Sequence, residues 1–142
     1  MRVRTSWADL PETTRAGLEN HLDEVVDAVD VAEGQNSDTC TLLTTARGDA
    51  FVKAMHGINI QTRWLRNELA AATPTDGLAL HVLAHTEGDG WLAAAFERVT
   101  GRAADLTPAS PDLAVVADTA TTIGLLPAAG LRPLTDRWAR PG

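Results

Sequence analysis

Residue types and segments that define several common classes of protein are scarce or absent in this sequence. Cysteine occurs once, at Cys40, which excludes an intramolecular disulfide framework and most cysteine metal sites. No apolar run reaches the roughly 18 residues of a membrane-spanning helix. Residues 1–10 contain no apolar core segment, so we see no signal peptide. We therefore expect a cytoplasmic protein without a membrane span.

Positive charge is also scarce, and lysine most of all. The formal net charge is −7, and no run of Lys or Arg concentrates positive charge locally. This balance argues against a nucleic-acid or anionic-membrane surface. Lys53 is the only lysine among the twelve basic residues, so arginine is used wherever plain positive charge is sufficient. Lys53 is therefore the first residue to consider for a specific role.

Hydrophobic periodicity and turn residues predict an α+β protein with a five-stranded antiparallel sheet. A helix is expected from Pro11 to about Leu22, and strands over 24–32, 39–45 and the segment around Lys53. A second helix over 59–72 packs on the sheet, and strands follow over 78–85 and 91–99. We divide the chain into a domain of residues 1–107 and a C-terminal part, 108–142, which contains a linker and a helix over 112–126.

The lysine has an obvious partner. Lys53 alternates with Phe51 and Met55 in a strand, where a lysine is a poor choice for solubility alone. At about 100° per residue, Glu68 falls within an apolar stripe of the second helix, formed by Ile60, Trp64, Leu65, Leu69 and Ala72. A carboxylate on a buried face is costly unless it is paired. We expect a close Lys53–Glu68 ion pair, whose disruption costs a few kcal/mol.

Two interpretations of this pair remain open at this point. Kinases hold the phosphates of ATP with a strand lysine that a helix glutamate orients, and Ala50-Phe51-Val52-Lys53 fits the pattern of that strand. The pair can equally be a structural salt bridge in an unrelated α+β domain.

Further segments resemble the aminoglycoside phosphotransferase family, which has a protein-kinase-like fold. The order of strands and helices is that of a kinase N-terminal lobe. The similar residues are Trp7 with Leu10-Pro11, Phe51-Val52-Lys53, Arg66-Asn67-Glu68, Trp91-Leu92-Ala93, Phe96 to Arg102, and Ser110-Pro111-Asp112-Leu113. The resemblance covers nearly the whole chain, but only the N-terminal nucleotide-binding lobe of the family.

The resemblance implies roles for particular residues. Lys53 would contact the α- and β-phosphates of ATP, and Glu68 would orient it. A turn would cover the phosphates with backbone N–H groups, through Gly34, Asn36 and Ser37.

The same resemblance implies an adenine contact at a hinge formed by Phe96 to Val99, at the end of the last predicted strand. There the backbone of Glu97 and Val99 would pair with adenine.

The catalytic half of the family is not found in this chain. The family's second lobe carries an H-x-D-x-x-x-x-N loop and a further aspartate that holds Mg²⁺. The string His56-Gly57-Ile58-Asn59 has Ile58 where the aspartate belongs. We therefore expect no catalytic or metal residues here and weak or vestigial ATP binding. Mg²⁺ would bind only if a second lobe is supplied.

The C-terminal helix predicts a protein partner. Its apolar stripe, within Leu113–Leu126, contains Leu113, Val116, Ala120 and Ile123. In the family the equivalent segment begins the second lobe, so we expect self-association or a partner to cover it. The alternative function is a non-catalytic binding or regulatory subunit, associated with a biosynthetic enzyme or with a separate catalytic chain.

Overall fold

The computed structural model describes residues 3–32, 36–127 and 131. A short 3-10 helix, Trp7–Asp9, precedes the regular elements. These are α1 (Glu12–Leu22), β1 (Val25–Asp30), β2 (Thr39–Thr45), β3 (Gly48–His56), α2 (Ile60–Ala71), β4 (Val82–Gly88), β5 (Trp91–Glu97) and α3 (Asp112–Gly124). Within the described ranges, no helix has the length and apolar character that crossing a membrane requires.

The five strands form one sheet in the order β1-β2-β3-β5-β4, and every neighbouring pair is antiparallel. The predicted fold class, α+β with a five-stranded antiparallel sheet and a helix packed on it, is confirmed. Strand β3 lies at the centre, between the hairpin partner β2 and the later strand β5. Helix α2 connects β3 to β4, and these two strands lie on either side of β5 in the sheet.

Local sequence explains the ends of the first two helices. Glu12 lies in the first turn of α1, where its negative charge suits the helix dipole. Helix α2 begins after Asn59, whose side-chain oxygen accepts a hydrogen bond of 3.0 Å from the Thr62 N–H. Since Asn59 satisfies this otherwise unpaired donor, α2 starts one residue later than the predicted 59.

The fourth strand differs most from the prediction. It begins at Val82, whereas the alternation of Leu78, Leu80 and Val82 predicted a start at residue 78. The preceding residues turn instead, with hydrogen bonds from the Leu78 and Ala79 N–H groups to the Thr75 carbonyl. Gly77 adopts a left-handed φ of 81°, which suits a turn rather than a strand.

The two faces of the sheet bury different cores. One face, which we call the α1 face, packs against Trp7, Leu10, Leu18 and Leu22; its strand residues are Leu43, Ala50, Val52, Ala54, Ala84, Ala93 and Ala95. The opposite face, the α2 face, buries Met55, Leu92, Ala94 and Phe96 with Leu65 of α2. Helix α3 has no buried residue.

Candidate functional site

Lys53 and Glu68 form the ion pair that the sequence predicts. Lys53 projects from β3 on the α2 face, and its Nζ lies 3.0 Å from Glu68 Oε1 and 3.0 Å from Glu68 Oε2. The same Nζ lies 5.5 Å from the centroid of the Phe96 ring, within the range of a cation–π contact. The ammonium group is thus held by a carboxylate on α2 and an aromatic ring on β5.

The expected burial of Glu68 is wrong. Its side chain is 46% exposed, and Ile60 and Trp64 of the same predicted stripe are 44% and 38% exposed. The buried residues of α2 are Thr62 and Leu65. Leu65 packs against the large side chains of the sheet and so sets the rotation of the helix. This rotation turns Glu68 to the side of α2, beside Lys53, and leaves Trp64 outside the core.

One row of apolar side chains crosses the whole sheet on the α2 face. The strand register pairs, in succession, Val29, Leu42, Phe51, Phe96 and Val82. Directly paired residues point to the same face, so these side chains form a line. Helix α2 covers the Phe96 end, whereas Phe51 and Leu42 are half-buried and Val29 is 55% exposed. We call Val29, Leu42 and Phe51 the open floor.

Lys53 stands at the boundary between the covered part of this face and the open floor. It lies two residues from Phe51 on β3, a separation of about 7 Å along the strand. Its side chain is 28% exposed, so the ammonium group is accessible while it is paired. An apolar surface beside an accessible cation suits a ligand with a flat apolar body and an anionic group.

Cys40 lies opposite Lys53 in the register of β2 and β3. Burial raises the pKa of its thiol, an effect that the charges of Arg4 and Lys53 partly oppose. The thiol therefore stays protonated at neutral pH and acts as a small buried side chain.

Part of the predicted phosphate turn can be located. Gly34 lies outside the described residues. Asn36 is exposed and Ser37 is buried. The next residue, Asp38, fastens the turn to the end of β3: its N–H donates to the Ala54 carbonyl, and its carboxylate accepts from the His56 N–H at 2.8 Å. The sequence predicted the turn but not this anchor.

At the predicted hinge, Glu97 forms two hydrogen bonds with His81. Its backbone N–H donates a hydrogen bond of 2.9 Å to the His81 carbonyl, and its side chain accepts one of 3.1 Å from the His81 N–H. The Glu97 N–H is therefore used within the protein. Val99 lies beyond the end of β5 and is 64% exposed, so it is the accessible member of the predicted pair.

No group of three or more His, Cys, Asp or Glu side chains converges on a metal site within residues 3–32 and 36–127. His81 instead pairs with Asp76, at 3.1 Å between Nδ1 and Oδ1. Sequence reasoning missed Leu42 and Val29, and it assigned Phe96 to the hinge rather than to the contact with Lys53. Their signal is strand alternation, but their alignment with Phe51 depends on the strand register.

The fold and this geometry define an α+β protein with an accessible lysine–glutamate pair beside a partly open sheet face. No protein-family model matches the sequence, and no curated protein matches it either.

Proposed function

We propose that this chain is the ATP-binding lobe of an aminoglycoside-phosphotransferase-like kinase and has no phosphotransferase activity alone. The observation that carries the proposal is the position of the Lys53 ammonium, paired with both oxygens of Glu68 at the edge of the open floor. A strand lysine oriented by a helix glutamate is how kinases contact ATP phosphates.

The open floor supports the apolar half of the same ligand. The adenine ring would lie on Phe51 and Leu42, and its phosphates would extend towards Lys53. Stacking on an aromatic side chain and a charge-assisted bond to phosphate are each favourable by about 1–3 kcal/mol. Because the family holds Mg²⁺ with residues of its second lobe, we expect weak binding by this chain, with a Kd of about 1 mM or −4 kcal/mol.

The chain also lacks the groups that transfer a phosphoryl group. Catalysis needs an aspartate to accept the substrate proton and a further aspartate to hold Mg²⁺, and no loop of this pattern occurs in the sequence. Phosphoryl transfer by these 142 residues should therefore be undetectable. Measurable turnover would contradict the proposal.

A titration of ¹⁵N-labelled protein with ATP, ADP and adenosine tests the binding mode. ATP should shift the amide signals of β3 around Lys53 and those of the open floor. Lys53→Met should weaken ATP at least tenfold, about 1.4 kcal/mol, and should leave adenosine binding unchanged. The matched control is Arg47→Met, which also removes one cation from an ion pair, that with Asp23, at the β2–β3 turn.

The control separates a specific phosphate contact from a general effect of charge. Equal weakening of ATP by Lys53→Met and Arg47→Met would mean that Lys53 has no specific role. Loss of adenosine binding in Lys53→Met would instead point to damage of the fold. Failure of the wild-type chain to bind ATP at about 10 mM would overturn the proposal.

The exposure of α3 favours a second candidate, a non-catalytic binding or regulatory subunit that associates with another chain. Helix α3 buries none of its residues, and three of its apolar side chains are well exposed. Val115 is 66% exposed, and Val116 and Ile123 are 41% and 42% exposed. Exposed apolar surface of this kind marks interaction sites.

Light scattering of the wild type, Val116→Glu and Ile123→Glu tests this candidate. A monodisperse monomer whose variants keep the same solubility and co-purification would contradict it.

A further inference from the structure

The outward side of α2 carries apolar side chains where a helix on a sheet surface usually carries polar ones. The buried side of this helix is marked by Thr62 and Leu65. On the opposite side, Ile60 is 44% exposed and Trp64 is 38% exposed, one helical turn apart. Ile58, just before the helix, is fully exposed. We call Ile58, Ile60 and Trp64 the α2 patch.

The positively charged side chain of Arg63 lies beside this patch. The guanidinium of Arg63 forms no ion pair or side-chain hydrogen bond with any residue that the structure describes. Other exposed arginines are paired: Arg47 with Asp23, Arg98 with Asp49, and Arg102 with Asp112. Arg63 and Arg66 line a groove of about 300 Å³ together with Ile58 and Ile60. Arg66 is held there by Glu87, so Arg63 is the cation available to a partner.

From this arrangement we propose that the α2 patch with Arg63 is a docking surface for an acidic amphipathic helix of a partner protein. An apolar side chain of the partner packs against Ile60 and Trp64, and a neighbouring carboxylate pairs with Arg63. Trp and Arg are the residues that most often dominate binding energy at such surfaces. This surface is distinct from the Lys53 site and from α3.

A second copy of this chain fits the surface less well. Its exposed apolar helix, α3, would have to bring a carboxylate next to the apolar stripe. Asp118 lies at about 180° from the stripe of Leu113, Val116, Ala120 and Ile123, and its exposed apolar neighbour on α3 is the smaller side chain of Val115. Asp112 is already engaged by the Arg102 guanidinium and the Asp105 N–H.

The test uses the full chain and a synthetic helical peptide of about four turns as probe. The peptide has leucines along one side and glutamates beside them, and its matched control has lysines in place of the glutamates. In a ¹⁵N titration the acidic peptide should shift the signals of Ile58 to Asn67. It should bind at least about tenfold more tightly than the basic peptide, and the difference should shrink with added salt.

Variants identify the groups involved. Trp64→Ala should weaken the acidic peptide at least about 30-fold, because it removes the aromatic anchor. Arg63→Gln should weaken it about two- to fivefold and reduce its salt dependence. Val115→Ser, which removes an apolar side chain that is 66% exposed on α3, should have no effect. Circular dichroism of each variant checks that the fold is retained.

Several results would overturn the proposal. The acidic peptide could fail to bind at about 1 mM, or the basic peptide could bind equally well. The shifts could fall on α3 instead of α2, or Trp64→Ala could leave binding unchanged. If the chain forms a dimer that Trp64→Glu dissociates, the occupant is a second copy and not an acidic partner.

Discussion

The two faces of the sheet differ in the size of the side chains that the strands present and in how completely a helix covers them. On the α1 face the strands present mainly small residues, and α1 lies so close that a Cβ at Gly17 would be 2.8 Å from the Cβ of Thr86. On the α2 face they present larger side chains, among them Met55, Phe96 and Lys53. Helix α2 covers only part of that face.

This difference separates stability from ligand access. Small side chains allow a helix to approach closely, and the resulting dense contact stabilises the fold but leaves no room for a ligand. A face with large side chains and incomplete cover leaves a charged group accessible at the margin of the core. We therefore expect substitutions on the α1 face to change mainly stability, and substitutions around Lys53 to change mainly binding.

The largest expected effect is on the α1 face. Leu18 is completely buried, so Leu18→Ala should lower the free energy of unfolding by about 2–5 kcal/mol, the cost of a core cavity. The matched control is Leu125→Ala, at a position 82% exposed, which should change it by less than about 0.5 kcal/mol. Urea denaturation measures both. A loss below about 1 kcal/mol for Leu18→Ala would contradict the expectation that substitutions on the α1 face change mainly stability.

Close packing at Gly17 predicts the next effect. Gly17→Ala should destabilise by about 1–3 kcal/mol because the added methyl group meets both Oγ1 and Cβ of Thr86. Gly124→Ala, also at a helical glycine but with nothing within 4 Å, should be neutral or slightly stabilising. If Gly17→Ala is as stable as the wild type, α1 does not lie as close to β4 as described. Thermal unfolding of the two variants distinguishes these cases.

On the α2 face, Lys53→Met should lower stability by about 1 kcal/mol or less. The two side chains are 28% and 46% exposed, so solvent screens the ion pair. This value replaces the few kcal/mol expected from a buried Glu68. A change in the urea midpoint equivalent to about 3 kcal/mol or more would mean that the pair is desolvated in solution.

The smallest expected effect is a difference in acid sensitivity between the two faces. The Arg66 guanidinium, which joins α2 to β4, holds the pKa of Glu87 below its ordinary value of 4.5. A lowered pKa contributes stability that is present above pH 4.5 and is lost as the pH falls through the folded-state pKa. Acidification should therefore increase hydrogen exchange in α2 before it does in α1.

The variant Glu87→Gln provides the control for this last prediction. It removes the titrating group, so the difference in hydrogen exchange between α2 and α1 should no longer depend on pH below 4.5. An unchanged pH dependence in Glu87→Gln would assign the effect to another carboxylate on the α2 face.

Local sequence was sufficient for most elements and for the central pair. The β-branched run of β1, the threonine-rich β2 and the Asn59 cap of α2 are short-range signals, and the elements lie close to where they were predicted. The Lys53–Glu68 pair could be predicted because the chain has a single lysine and Glu68 lies in the helix that follows the strand of Lys53. The predicted start of the fourth strand at residue 78 was wrong because the alternation of Leu78 and Leu80 does not distinguish a strand from a turn with exposed leucines.

By itself, then, the sequence determined the class of fold, the order of its elements and the partner of its only lysine, because periodicity, caps and residue scarcity are local properties. Tertiary structure decided the rotation of α2, which exposes Glu68 and Trp64, because packing of Leu65 on the sheet sets it. It also decided the strand register, which aligns Phe51 with Leu42 and Val29. Both depend on contacts between residues far apart in the chain, which no local pattern records.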